Sequence, residues 1–104
     1  MKTTKQKKLA RAGWRVGSAE AFLGLKPAEA ALVNMRVSLA EKLRGRRIRL
    51  GLSQVELAQR LGSSQSRVAK MEAGEATVSL DLLVRGMLAT GANAGEVGHA
   101  IAAA

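Results

Sequence analysis

The sequence predicts an all-α domain of about five helices, preceded by an N-terminal helical extension, and three observations carry that prediction. Of the 104 residues 47% are hydrophobic, yet there is one Phe, one Trp and no Tyr, so a core has to be built from Leu, Val, Ala, Ile and Met. Alternating runs of β-branched or aromatic residues, the pattern of half-buried strands, are missing. Apolar residues recur instead three or four positions apart, between stops and starts marked by Gly, Ser and Asn. A chain of this length makes one compact domain rather than two.

Residues 1–13 are polar and Lys-rich and end in Gly13, the composition of a disordered basic arm. Residues 14–38 are expected to form the helical extension. Ser18 can cap a short apolar helix over Ala19–Leu23, Gly24 offers a stop, and Pro27 suits the first turn of a new helix, where its missing N–H costs nothing. From Pro27 to about Leu50, apolar residues fall at Ala28, Ala31, Leu32, Met35, Leu39, Leu43 and Leu50. Gly45 weakens this run by about 1 kcal/mol relative to Ala, and a break near Asn34–Ser38 is an alternative to one continuous helix. The core domain is placed at 39–91 and an Ala-rich helical tail at 92–104.

Within 39–91 the starts and stops are explicit. Gly51 closes the first helix. Ser53 with Glu56 three residues on reads as a capping box, with Leu52 and Leu57 as its hydrophobic staple, opening a helix Gln54–Leu61 that Gly62 ends. Ser64 can cap a further helix, about Gln65–Glu72, ended by Gly74. Ser79 opens an apolar helix through Leu80, Leu83, Val84, Met87 and Leu88, closed by Gly91, and Asn93 with Glu96 resembles another capping pair.

Two short helices joined at Gly62 can cross steeply only if their contact residues are small or well fitted. Ala58 lies on the side shared with Leu57 and Leu61, while Val68 and Met71, three apart, face back into the core. Gln65, Ser66, Arg67 and Lys70 are thereby displaced from the apolar side. An exposed helix beginning Gln-Ser suits a DNA major groove: an amide can pair with adenine through two bonds, Lys or Arg with guanine, and Ser with either. The helix starts at Gln54 and Gln65 also present free N–H groups suited to phosphate oxygens, and Ser64, at the second start, joins the DNA-facing set.

At these residues the sequence resembles the XRE family, the helix-turn-helix class of Cro and lambdoid phage repressors, from about Leu39 to Leu88. The segment L-S-Q-V-E-L-A-Q-R-L-G-S-S-Q-S-R-V-A-K-M-E-A-G, Leu52–Gly74, carries the likeness. It implies a repressor-like helix-turn-helix bundle. It also implies that Gln54 anchors a phosphate and buttresses Gln65, that Gln65, Ser66 and Lys70 face bases, and that Arg67 reaches a base or the backbone. Arg47 and Glu72 match the family's internal ion pair. The family often has Val or Thr where this chain has Ser63. The flanks, G-W-R-V-G-S-A-E-A-F-L-G-L followed by a long basic helix, resemble HigA-type antitoxins, which neutralise a RelE/HigB-like ribonuclease toxin and repress their own operon. Trp14 and Phe22 read first as local core; because Trp14–Leu25 is more apolar than a free extension needs to be, Trp14, Phe22, Leu23 and Leu25 are also the toxin-binding candidates.

The formal net charge is +9, and its placement matters more than its sum. Residues 1–50 hold 13 Lys and Arg against three Glu, whereas residues 51–104 hold four against five acids. Such a block fits a polyanionic partner or a solubilising tail. The expected partners are therefore double-stranded DNA, as an inverted-repeat operator read by a homodimer, and a toxin protein. A stand-alone regulator, or an adaptor or RNA binder using the same surface, is the alternative. Cysteine is absent, which excludes disulfides and thiolate metal sites. No secretory signal and no run of roughly 20 apolar residues is present, so a cytoplasmic protein off the membrane is expected. There is no phosphate-binding Gly loop, no paired metal ligands and no nucleophile–base arrangement around the single His99, so neither catalysis nor a cofactor is expected.

Overall fold

A computed structural model describes residues 26–104; the arm at 1–13 and the candidates Trp14, Phe22, Leu23 and Leu25 lie outside the described residues. The described residues form five helices and no strand: α1 (Pro27–Arg49), α2 (Gln54–Leu61), α3 (Gln65–Glu72), α4 (Leu80–Ala89) and α5 (Ala94–Ala102). No described helix is long and apolar enough to cross a membrane.

Each of the last four helices starts where a side chain takes up an otherwise orphaned N–H. The Ser53 hydroxyl accepts from the Glu56 N–H at 3.0 Å, and the Glu56 carboxylate accepts from the Ser53 N–H at 2.7 Å. Ser64 accepts from the Arg67 N–H and Ser79 from the Leu82 N–H, at 3.2 and 3.1 Å. Asn93 and Glu96 repeat the reciprocal box at 2.8 and 2.9 Å. Between α2 and α3 the chain turns at Gly62, whose φ of +64° lies in the left-handed region that costs a side chain energy. The Ser63 N–H then bonds back to the Ala58 carbonyl at 2.8 Å.

Helix α1 is the spine, and it differs from the apolar recurrence in its sequence. It runs unbroken through Asn34–Ser38, and its buried residues are Ala30, Asn34, Ser38, Leu39, Ala40 and Leu43. Leu32 and Leu50 share the helical spacing but are 43% and 51% exposed. Met35 is half-buried rather than core. Two polar residues therefore take positions that spacing alone assigns to apolar ones. Ser38 is accommodated because its hydroxyl donates to the Ala100 carbonyl of α5 at 2.5 Å, which meets the cost of burying it.

The core gathers Leu39, Ala40 and Leu43 of α1, Leu57 and Ala58 of α2, Val68 and Met71 of α3, Leu83 and Met87 of α4, and Val97 and Ala100 of α5. Leu61 packs at its edge, half-buried, and Leu88 is half exposed. Helix α4 approaches α1 and α3 so closely that a Cβ at Gly86 would stand 2.8 Å from Met71 Cε and 3.0 Å from Leu43 Cδ2. Arginines of α1 close the seams. Arg36 donates to the Val78 carbonyl, and Arg46 donates to the hydroxyl and carbonyl of Thr90 and to Glu96.

Candidate nucleic-acid interface

The packing of α3 decides what it shows to solvent. Val68 and Met71 are fully buried against the other helices. Gln65, Ser66, Arg67 and Lys70 consequently lie on the outer side, all exposed, with Ser64 exposed at the cap. The start of α2 lies beside this face, because Gln65 Nε2 donates to Gln54 Oε1 at 2.6 Å.

Behind Gln54 the contacts continue inward as a chain. Gln54 Nε2 donates to Glu72 Oε1 at 3.1 Å. Arg47 donates to the same carboxylate twice, from Nε to Oε2 at 2.5 Å and from Nη2 to Oε1 at 2.9 Å. Its third nitrogen, Nη1, reaches the Leu52 carbonyl at 2.8 Å. The Glu72 side chain is 4% exposed and that of Arg47 12%. The Arg47 pKa is raised above its usual value, chiefly by the bond to Glu72; burial opposes this and the Glu72 charge adds to it. A two-pronged, nearly dry pair of this kind joins the end of α1 to the last turn of α3. Thus Arg47, Glu72, Gln54 and Gln65 form one connected line from α1 to the exposed face.

Nothing in the sequence announces the bond between Gln54 and Glu72. The two residues fall on different helices, and only the folded arrangement brings them together. Thr77, Ser79 and Leu82 are further neighbours of this face that lie beyond the segment Leu52–Gly74. With Ser64, Ser66, Arg67 and Lys70 they line a polar depression of about 480 Å³ beside α3. The hydroxyls of Thr77 and Ser79, just before a helix start, are the one signal of it in the sequence. A second depression of about 350 Å³ lies between α1 and α5, lined by Lys42, Arg46, Arg49, Glu96 and His99 among others. There Arg46 is already bonded to Thr90 and Glu96. Among the described residues no group of three or more His, Cys, Asp or Glu could hold a metal ion.

Residues 43–85, from the last turns of α1 into α4, match a family model described as Helix-turn-helix. Together the fold and this match define the class: a DNA-binding domain of the kind that regulates transcription. The matched segment lies within the stretch Leu39–Leu88. No curated protein and no solved structure matches the chain.

Proposed function

We propose that this protein is a sequence-specific repressor that binds double-stranded DNA as a homodimer on an inverted repeat. The observation that carries the reading is the exposed row Gln65, Ser66, Arg67 and Lys70 on a helix whose opposite side is locked into the core. Gln65, Ser66 and Lys70 face base edges, and Arg67 a base or the backbone. Gln54 keeps one N–H free for a phosphate oxygen, and the hydroxyls of Ser64, Thr77 and Ser79 flank the same groove wall. One such helix covers only a few base pairs, so two copies related by a two-fold axis, with recognition helices about 34 Å apart, supply the operator length. The α4 and α5 surfaces, including the half-exposed Leu88, are the interface we favour.

The finer reading is an antitoxin: Trp14, Phe22, Leu23 and Leu25 anchor a ribonuclease toxin on the N-terminal half while α3 stays free for DNA. It rests on the apolar character of Trp14–Leu25 and on the likeness of the flanks to HigA-type antitoxins. The test uses the full chain, the duplex upstream of its own gene and a random duplex of equal length. Gln65→Ala and Lys70→Ala are expected to cost about 1–3 kcal/mol on the upstream duplex and far less on the random one. Equal losses on both would reduce these residues to phosphate contacts. Copurification with the neighbouring gene's product, abolished by Trp14→Ala with Phe22→Ala, separates the antitoxin from a stand-alone regulator.

A further inference from the structure

None of the residues that line the depression between α1 and α5, about 350 Å³ in volume, belongs to α2 or α3. Its wall on α1 carries three cations, Lys42, Arg46 and Arg49, whose spacing of four and three sets them above one another on a single helix face. Arg46 is the fixed one, its side chain only 19% exposed. The hydroxyl of the buried Thr90 accepts from Arg46 Nε at 2.8 Å and itself donates to the Met87 carbonyl at 2.6 Å. Arg46 Nη2 donates to the Thr90 carbonyl at 3.2 Å and Nη1 to Glu96 at 3.1 Å. Three of the five guanidinium N–H groups are thus engaged, and one stays free on each terminal nitrogen.

Among the described residues that line the depression, Glu96 is the one carboxylate, and both of its oxygens are taken. Oε2 accepts from Arg46, and Oε1 from the Asn93 N–H. Lys42 and Arg49 are exposed and have no ion-pair partner among the described residues. Three positive charges therefore meet one negative charge, over a floor that includes the buried Met87 and Ala100. A phosphate monoester, with a charge of about −1.5 to −2 and three acceptor oxygens, balances that excess better than a single carboxylate does. Its oxygens can accept from the two free N–H groups of Arg46, with Lys42 and Arg49 closing on it from the neighbouring turns. The apolar floor suits an organic body rather than a bare ion. We infer that the seam between α1 and α5 is a binding site for a small organic phosphate, held by Lys42, Arg46 and Arg49. The site is independent of the reading of α3 as the base-facing helix.

The test is calorimetric titration of the full chain at low salt, where charge contacts are least screened, with phenyl phosphate, inorganic phosphate and benzoate. Phenyl phosphate is expected to saturate a single site below about 10 mM, and the other two to bind at least about five-fold more weakly. Arg44 supplies the control: it is exposed on the same helix as Lys42 but does not line the depression. Lys42→Ala and Arg49→Ala should each weaken phenyl phosphate by about five-fold or more, and Arg44→Ala by less than about two-fold. Both lining side chains are exposed, so neither exchange removes a packed group. Glu96→Gln keeps an acceptor for the Asn93 N–H and removes the competing charge, so it should tighten binding several-fold. Equal losses at Lys42, Arg49 and Arg44 would reduce the attraction to overall charge and overturn the inference, as would a titration that never saturates. Inorganic phosphate bound as tightly as phenyl phosphate would overturn the organic body. Displacement of phenyl phosphate by a random duplex would give the depression to the DNA backbone and overturn the inference too.

Discussion

Removing the Glu72 carboxylate would strand the Arg47 guanidinium, whose side chain is only 12% exposed and to which no other acid among the described residues is bonded. Breaking one side of a buried pair costs far more than the pair contributes, so Glu72→Ala is expected to lower stability by about 3–5 kcal/mol. Urea denaturation checks this, and an unmoved midpoint would show the pair is not holding α1 to α3. Two glycines give a sharper contrast. Gly86 and Gly98 both sit inside helices, where Ala is favoured by up to about 1 kcal/mol. At Gly98 nothing among the described residues lies within 4 Å of the added Cβ, so Gly98→Ala should stabilise by roughly that amount. At Gly86 the Cβ would stand 2.8 Å from Met71 Cε and 3.0 Å from Leu43 Cδ2, so both fully buried side chains would have to shift. Overpacking of about 1–3 kcal/mol then outweighs the helix gain, and Gly86→Ala should destabilise. Like-signed shifts of the two variants would mean that α4 can move away from α3. The sequence shows Gly86 only as a weak point in an apolar helix; its role in close packing emerges from the approach of α4.

Starts and stops are the most legible part of the fold. The bounds of α2 and α3 coincide with those that Ser53, Glu56, Gly62 and Ser64 imply, because caps act on residues three apart and need no tertiary context. The continuity of α1 is not legible. Asn34 and Ser38 look like a break in an apolar stripe, and the α5 carbonyl that accepts from Ser38 lies 62 residues away. The caps also carry a pH dependence. Glu56 and Glu96 are held below the usual carboxylate range, Glu56 mainly by the Ser53 N–H and Glu96 mainly by the Asn93 N–H. Nearby Arg60 and Arg46 assist, and slight desolvation opposes. Because the folded values lie below the unfolded value of about 4.3, the stability they add is complete above that pH and is lost as pH falls through the folded values. The pair Glu56→Gln with Glu96→Gln keeps an acceptor in each box but removes the titration. Thermal midpoints at pH 7, 4 and 3 should therefore fall less steeply for this variant than for the wild type. Parallel acid limbs would assign the acid loss to other carboxylates.

At the scale of the whole molecule, a count of charges misleads about what is available to a polyanion. The first 50 residues carry 13 cations, but Arg36, Arg46 and Arg47 are engaged with Val78, with Thr90 and Glu96, and with Glu72. Those three hold the bundle together. On α1 the exposed cations are Lys42, Arg44 and Arg49, and residues 1–13 contribute five more, Lys2, Lys5, Lys7, Lys8 and Arg11. Composition could not make this division, because a guanidinium's partner is set by the approach of helices far apart in sequence. If the five N-terminal cations lie on phosphate when the protein binds DNA, each releases counterion and steepens the salt dependence. Deleting residues 1–13 should then make the slope of log affinity against log salt shallower by roughly 0.9 for each phosphate no longer neutralised, up to about 4.5 for all five. The measurement is a titration of the upstream duplex at several salt concentrations, with wild type and deletion side by side. Reduced affinity at one salt concentration is insufficient, since a change in dimerisation would produce it too. The slope separates the two: fewer neutralised phosphates flatten it, whereas a weakened dimer lowers affinity and recovers at high protein concentration. An unchanged slope would leave the electrostatic footprint to cations beyond residue 13 and make the charge of residues 1–13 a solubilising one.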